Sequence, residues 1–329
     1  MRPSAALVLA LLVVVAACGG SPAPQPGESR AQTIRMELPA EPDVSDVPRL
    51  MARETLQKAG YIVEATAYRD NVIAIQGLVS GQTDIAVVSL PGALAAMQQG
   101  AGITVIMEAG GHTRCLVTAP DIKQCSDLQG KQVAVPNLVS AQTLAFRRYI
   151  ATQCPGTEVE PVVIAGADNR LAALLSQRTG GAILDLMALL EVQRYDKARF
   201  NLLSVFGTDF PGLAGAVVVA PRPFLDRYPE TARDIVRAWV LSARAIQDPA
   251  VLAREIENRL GLAPDRAAAA ATAYLAQKVW DLNGGLADGF MQRNIDFAME
   301  MGALKPGLTP DATADARYLT TVLTEIGRK

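Results

Sequence analysis

The chain has 329 residues, of which 50% are hydrophobic and 19% charged, and its formal net charge is -2. A charge so close to neutral gives no electrostatic reason to expect nucleic acid as a partner. After the N-terminal leader, no apolar run reaches the ~20 residues that a membrane-spanning helix needs. The remaining residues, roughly 300, are enough for two compact domains.

The N-terminus has the order of a secretion signal. Arg2 precedes an unbroken run of Ala, Leu and Val over residues 5–17, and Cys18 follows a Val-Ala-Ala triplet. This cysteine resembles that of the bacterial lipobox, in which the thiol takes a diacylglycerol and becomes the first mature residue. The alternative is an ordinary signal peptide with an incidental cysteine. We interpret residues 1–18 as a lipoprotein signal lipidated at Cys18, and the Gly-, Pro- and Ser-rich residues 19–32 as a flexible tether.

From Thr33 onward, short apolar runs alternate with helical patterns, as in βαβ units around a mostly parallel sheet. The predicted strands are Thr33–Leu38, Ile62–Ala67, Ile85–Val88, Ile103–Glu108, Cys115–Thr118, Gln132–Val135, Val159–Ile164, Ala182–Leu184, Leu202–Phe206 and Gly215–Ala220. Helical patterns fill the intervals between most of them. The C-terminal part is predicted almost wholly helical: Pro229–Gln247, Ala250–Leu260, Pro264–Asp281, Asp288–Met301 and Pro310–Gly327.

Two segments, 82–90 and 178–186, align weakly with each other. Each has a turn, a short buried strand and a polar residue at the carboxyl end of the strand, which is Ser89 in one and Asp185 in the other. The alternative is that any two βα units share this pattern. Ligands of open α/β sheets bind beyond the carboxyl ends of the strands, so two such lobes facing each other predict a cleft for a solute.

Four segments, in order, carry a family resemblance. Residues 74–100, with Ser-Gly-Gln-Thr-Asp-Ile-Ala-Val-Val-Ser at their centre, resemble the "ALxxGxxDxxxxS" segment of type II periplasmic binding proteins of ABC transporters. Residues 120–135, 170–184 and 215–229 match further segments of that family. The nitrate/sulfonate/taurine and thiamine-precursor binding proteins are the most similar group, and the resemblance runs from about residue 33 to 301.

The resemblance implies an α/β fold of two lobes, each a mostly parallel sheet flanked by helices, with a helical C-terminal region. Residues 33–116 with 216–329 would form lobe I, and residues 117–215 lobe II, with crossing strands near 115–118 and 215–219. Sequence alone leaves the pairing of Cys115, Cys125 and Cys154 open. The implied topology places Cys125 and Cys154 on the side of lobe II away from the cleft, and it therefore favours a disulfide between them.

Candidate ligand contacts follow the predicted strands. Ser89, Ser140 and Asp185 could contact a solute or simply cap the helices behind them. Arg69 suits a sulfonate or carboxylate through bidentate pairing, although a solvated surface arginine is the common case. The single histidine, His112, is expected to be structural. The complete set of predicted ligand contacts is Arg69, Asn71, Ser89, Leu90, Pro91, Asn137, Ser140, Ala141 and Asp185.

The function that the resemblance implies is the membrane-anchored solute-binding component of an ABC importer. It would capture a small organic or anionic solute (sulfonate-, nitrate- or taurine-like, or pyrimidine-type) and deliver it to permease and ATPase subunits. We expect a monomer with no cofactor, no metal, no catalytic residues and no nucleic-acid partner. The alternative is a surface sensor or partner-binding lipoprotein without a transport role.

An enzyme is the remaining rival class. The thiamine-pyrimidine synthases share the implied fold and use a histidine with a cysteine-rich cluster. This chain has one histidine and only dispersed cysteines, so the resemblance does not extend to that catalysis. The spacing of these residues also fits none of the usual zinc motifs.

The lipid anchor is tested by Cys18→Ala. Without the thiol no diacylglycerol can be attached. A cleaved chain then lacks the acyl chains whose burial in the bilayer would hold it at the membrane. We expect the variant in the soluble fraction after membrane sedimentation, while the wild type sediments. Retention of the variant in the membrane pellet would refute the anchor.

Overall fold

The computed structural model describes residues 29–68, 71–196 and 200–329. Its strands are β1 Thr33–Pro39, β2 Ile62–Tyr68, β3 Ala86–Val88, β4 Ile103–Gly111, β5 Arg114–Thr118, β6 Lys131–Val135, β7 Val159–Val163, β8 Gly181–Asp185, β9 Asn201–Val205 and β10 Ala214–Pro221. Its helices are α1 Val47–Lys58, α2 Asn71–Val79, α3 Leu90–Gln98, α4 Ala141–Gln153, α5 Ala167–Leu175, α6 Leu186–Asp196, α7 Phe206–Asp209, α8 Arg222–Arg227, α9 Pro229–Ala245, α10 Pro249–Leu260, α11 Pro264–Ala276, α12 Phe290–Glu300, α13 Pro310–Thr313 and α14 Arg317–Ile326. Nearly every predicted strand is present within one or two residues of its predicted bounds.

The strands belong to two separate lobes, so the predicted α/β two-lobed fold is confirmed. In the first lobe β1 pairs with β2 in parallel, and a parallel bridge between Met36 and Ile85 joins β1 to the sheet of order β3-β10-β4. In the second lobe the sheet has the order β7-β6-β8-β5-β9. In both lobes β-strands run parallel except where β10, and likewise β5, pairs antiparallel with its neighbours.

The chain passes between the lobes earlier than predicted. Residues 115–118 and 215–219 were expected to cross, but each segment lies inside one sheet, β5 in the second lobe and β10 in the first. The passages are residues 112–113 and the segment from α7 to β10. At the second passage Gly215 runs so close to β4 that a Cβ there would lie 2.3 Å from the carbonyl oxygen of Gly111, so any side chain at this position would displace backbone.

The C-terminal helices are shared between the lobes rather than confined to the first. Helix α9 packs between α1 and α14 beside the first sheet. The α10–α11 hairpin packs instead against α6 of the second lobe and against α1. One apolar cluster accordingly holds Val47 of α1, Leu184 of β8 and Tyr274 of α11, all buried.

The predicted helix over residues 310–327 is wrong as a single element. It is split into α13 and α14, and Ala314 between them is extended, with φ -133° and ψ 152°. Ala314 forms a parallel bridge with Val105 of β4. Pairing with the edge of a strand gives hydrogen-bond partners to backbone N–H and C=O groups that would otherwise be paired within a helix. Local helix propensity cannot reveal such a partner.

The three cysteines of the described residues are divided as the family topology implied. Cys125 and Cys154 are disulfide-bonded with their Cα atoms 5.7 Å apart, and both are buried. Cys115 is free and lies in the middle of the second sheet. Burial raises the pKa of its thiol to about 12, so Cys115 is unreactive at neutral pH.

Within residues 29–68, 71–196 and 200–329, no helix combines the length and apolar character needed to cross a bilayer. The predicted signal, lipidation site and most of the tether lie outside the described residues.

The disulfide between Cys125 and Cys154 is expected to stabilise the folded protein. It closes a loop of sequence separation 29, and the chain-entropy model gives about 3–4 kcal/mol for such a closure. We expect the free energy of unfolding in urea to fall by this amount when the protein is fully reduced. The double variant Cys125→Ala/Cys154→Ala should lose the dependence on reductant. An unfolding midpoint that is the same with and without reductant in the wild type would contradict the pairing.

Candidate functional site

A cavity of about 340 Å³ lies between the two lobes. The first lobe supplies most of its wall, and the second lobe supplies Arg114 at the start of β5 and Gln142 in the first turn of α4. The lining residues come from segments 37–49, 68–74, 87–89 and 109–114, together with Gln142, Gly215, Ala216 and Trp239. The volume is within the range of small-molecule sites, and a wall shared by two lobes is where such sites commonly occur.

Three charged side chains form a buried ion cluster in this wall. Arg49 of α1 donates to Oε2 of Glu37 on β1 at 2.6 Å and pairs with Asp46 one turn before it. Glu37 Oε2 also accepts the backbone N–H of Val87 on β3, at 3.1 Å. All three charged residues are less than a tenth exposed. The cluster therefore ties α1 to two strands at the carboxyl end of the first sheet.

Asp43 lies at the start of this same segment. Its Oδ1 accepts the backbone N–H of Ser45 at 2.7 Å, and Asp46 Oδ2 accepts the N–H of Asp43 at 2.9 Å, which completes a reciprocal cap. Asp43 is also 4.0 Å from the guanidinium of Arg114 across the cleft. Burial and the negative charge of Asp46 raise the pKa of Asp43, against the opposing effect of Arg114.

Arg114 and Asp185 face each other at the matching ends of β5 and β8. Asp185 Oδ1 accepts the N–H of Ala188 at 2.8 Å and so caps α6. Beneath them Arg170 is buried and donates to the carbonyl oxygens of Ile183 and Ile164 at 2.7 and 3.2 Å. Burial, together with the charge of Arg114, lowers the pKa of Arg170 to about 10, so Arg170 remains charged at neutral pH and stabilises the strand ends from below.

His112 lies in the passage between the lobes and lines the cavity. It is 4% exposed, its Nε2 has no hydrogen-bond partner, and its ring meets that of Phe206 edge-on at 6.4 Å. Burial and the neighbouring Arg114 lower its pKa to about 4. His112 is therefore neutral at pH 7.

The family model described as "NMT1/THI5 like" matches residues 55–250, which is more than half of the chain. The chain belongs to this family. The matched residues run from α1 through the second lobe to α10 and include both passages between the lobes. A search among curated proteins finds no match.

Solved structures of the same fold are similar along nearly their whole length. The ligand-binding component of an ABC-type import system from Staphylococcus aureus, with zinc bound, is 14% identical with a TM-score of 0.73, over 89% of this chain and 99% of that one. The alkanesulfonate-binding protein SsuA from Xanthomonas axonopodis pv. citri, bound to MOPS, is 13% identical with a TM-score of 0.69, over 86% and 98%. The nitrate-binding protein NrtA from Synechocystis PCC 6803 is 11% identical with a TM-score of 0.70, over 91% and 90%.

Two of the predicted ligand contacts line the cavity. Ser89 precedes α3, and its backbone N–H donates to Oδ1 of Asn71 at 3.3 Å, so the two residues form one edge of the wall. The Ser89 side chain makes no cap hydrogen bond with α3. Leu90 and Pro91 are buried behind this edge and are absent from the cavity wall.

The other predicted contacts lie elsewhere. Asn137 and Ser140 organise the start of α4: Asn137 Oδ1 accepts the N–H of Val139, and Ser140 Oγ accepts the N–H of Thr143. Ala141 is buried, and the next residue, Gln142, is the one that lines the cavity. Asp185 caps α6 and reaches the cavity only through its neighbour Arg114. Arg69 lies outside the described residues.

The loop Pro39–Asp43, which contains Glu41 and Asp43, was expected at the cleft, but the charged residues Glu37, Asp46, Arg49 and Arg114 were missed, although the sequence holds signals for them. Asp46 and Arg49 have the i, i+3 spacing of a helical ion pair. Glu37 is a carboxylate in an otherwise apolar strand, and Arg114 begins another such strand. Each signal is weak alone, because exposed charges at strand ends and ion pairs on helix surfaces are common.

The buried ion cluster predicts a large effect of Arg49→Ala. Removing the guanidinium would leave the carboxylates of Glu37 and Asp46 buried without their cation, which typically costs 3–5 kcal/mol, about a third of a domain's stability. Arg317→Ala is the matched control, because Arg317 is 75% exposed beside Asp315 and such pairs contribute less than about 1 kcal/mol. Urea unfolding measures both variants. Equal losses in the two variants would contradict the role assigned to the cluster.

Proposed function

We propose that this chain is the solute-binding component of an ABC importer, which captures a small organic or anionic solute between its lobes and delivers it to a permease with its ATPase. The observation that carries the proposal is a cavity whose wall is built from both lobes, in a fold shared along nearly the whole chain with import-system binding proteins. Binding rather than catalysis is then the activity. The membrane anchor at Cys18 belongs to the same proposal and rests on the leader sequence.

Two features support a cleft that closes on its ligand. In the part of the chain that the structure describes, two passages carry the chain between the sheets, residues 112–113 and the segment between α7 and β10. The second lobe reaches the cavity through Arg114 and Gln142, so movement of that lobe opens or covers a site built mainly on the first. A ligand that contacts both lobes favours the closed form by its differential affinity for the two forms.

The test is a thermal-shift screen followed by X-ray scattering. The panel holds sulfonates, nitrate, taurine-like, pyrimidine-type and amine compounds, and a binder raises the Tm by mass action. Any compound that raises the Tm is then added during scattering, and we expect the radius of gyration to fall. A stabilising compound that leaves the radius unchanged would favour the alternative, a sensor or partner-binding lipoprotein without a closing cleft.

Ser89→Ala and Ser140→Ala provide a matched pair of variants. Ser89 lines the cavity with its hydroxyl outside any cap hydrogen bond, so its loss should weaken binding of a stabilising compound. Ser140 caps α4 away from the cavity wall, so its loss should cost about 1 kcal/mol of stability with little change in affinity. Affinity lost equally in both variants would place the ligand elsewhere.

A further inference from the structure

The charges of the cavity wall do not suit an anion. Carboxylates outnumber guanidiniums two to one among the described lining residues. Arg69 and Asp70 lie outside the described residues and are not part of this comparison. The carboxylates are Glu37, Glu41, Asp43 and Asp46, and the guanidiniums are Arg49 and Arg114.

Neither guanidinium carries an uncompensated positive charge. Arg49 is paired at one terminal nitrogen with Glu37 and at the other with Asp46. Arg114 lies between Asp43, 4.0 Å away, and Asp185 on the paired strand. An anionic solute would therefore meet two arginines whose charges are already offset by protein carboxylates, and it would be repelled by Glu41 as well.

Two of the helical N-termini near the cavity are also occupied. Backbone N–H groups at such termini are favourable anion sites, but Asp43 fills this role for the turn at residues 44–46 and Asp185 fills it for α6. At α3, Pro91 in the first turn removes one of the N–H groups. The protein's own carboxylates thus hold two of the N-terminal positions near the cavity at which a sulfonate or nitrate could bind.

The remaining wall is neutral and suits the face of an organic cation. His112 is neutral at pH 7, and it contributes an uncharged ring to the wall, although its Nε2 is buried. Trp239 lines the same cavity, and indole rings are the best aromatic partners for cations.

A bare metal ion does not fit this wall as well as an organic cation. Across residues 29–68, 71–196 and 200–329, no three His, Cys, Asp or Glu side chains are grouped so that they could hold a metal. A cavity of about 340 Å³ is also far larger than one ion requires. The size of the cavity, its aromatic side chain and its dispersed carboxylates suit a molecule with an apolar body and one charged end better than a metal ion.

We propose that the solute of this protein is an organic cation with an ammonium or guanidinium group, and that Glu41 and Asp43 select it. The inference rests on the proposed solute-binding function and narrows it, since it excludes the sulfonate and nitrate classes. Glu41 is exposed at the mouth of the cavity and Asp43 lies deeper, partly covered by Arg114. Their excess charge attracts the cation, and selectivity comes from the repulsion of anions.

The experiment uses sets of compounds that share one carbon skeleton and differ in charge. Benzylamine, benzyl alcohol, benzoate and benzenesulfonate form one set, butylamine, butanol, butyrate and butanesulfonate form a second, and agmatine adds a guanidinium. Thermal shift at millimolar concentration and low salt is followed by calorimetric titration. We expect the amines and agmatine to raise the Tm more than the alcohols do, and the carboxylates and sulfonates to give no shift.

Glu41→Gln and Glu64→Gln form the matched pair of variants. Both remove one exposed carboxylate, but Glu64 lies on β2 outside the cavity wall. We expect Glu41→Gln to raise the Kd of a binding amine about three- to tenfold, because it removes the Coulomb attraction between one carboxylate and the cation in a partly hydrated site. Glu64→Gln should leave the Kd unchanged, and added salt should reduce the difference between the variants.

The outcomes separate the two proposals. Stabilisation by carboxylates, sulfonates or nitrate without stabilisation by amines would overturn the charge inference and leave solute binding standing. Amine binding that Glu41→Gln and Glu64→Gln change equally would also overturn it, because the cation would then lie outside the cleft. No response to any compound of either charge would count against solute binding itself, and with it against this inference.

Discussion

The position of β10 in the middle of the first sheet is the constraint on which the cleft depends. The chain leaves that sheet after β4, builds the whole second lobe and then returns to pair antiparallel with both β3 and β4. Residues Val217 to Ala220 of β10 are fully buried, so the first lobe is complete only after the second has been made. Two short passages carry the chain between the lobes in the described residues, the shared helical hairpin and the contacts of α4 with α3, β10 and α12 hold the lobes together, and the cavity lies between them.

The same return places the functional groups. The carboxyl ends of β1 and β3 reach the gap from one side and the start of β5 reaches it from the other, because β5 runs antiparallel to β8. Arg114 consequently lies beside Asp185, and Asp43 lies opposite Arg114. The buried cluster around Arg49 fixes α1 against β1, which holds the carboxylates of this side of the wall in place.

Much of the fold could be predicted from the sequence, because each buried strand is a short apolar run bounded by Gly, Pro or Asp. The passages between lobes could not, since whether β5 crosses or stays depends on which strand it pairs with, and pairing is not encoded locally. The split at Ala314 has the same cause. Glu37 and Arg49 were missed because they come from different elements and form an ion pair only when β1 and α1 pack together. Ser140 and Asp185 occupy loop positions at which capping and ligand contact have the same sequence pattern.

TM-scores of 0.69 and 0.70 with binding proteins for an alkanesulfonate and for nitrate, at 13% and 11% identity, establish a common fold, whereas specificity depends on the side chains that each chain places on the wall. In this protein the wall has more carboxylates than guanidiniums. The shared fold therefore does not identify the solute, which has to be inferred from the side chains of the wall. Carboxylates that are partly desolvated and incompletely paired are costly in the empty protein. A ligand that supplies the missing positive charge would offset part of that cost, which makes the excess understandable as a feature of binding.

Hydrogen exchange tests the central claim, that a solute binds between the lobes and touches both, most directly. Amide exchange is compared with and without a compound that stabilises the protein. The account predicts slowed exchange in peptides covering residues 37–49 of the first lobe and, at the same time, residues 112–114 and the first turn of α4 in the second. Protection limited to one lobe, or located away from both segments, would contradict it.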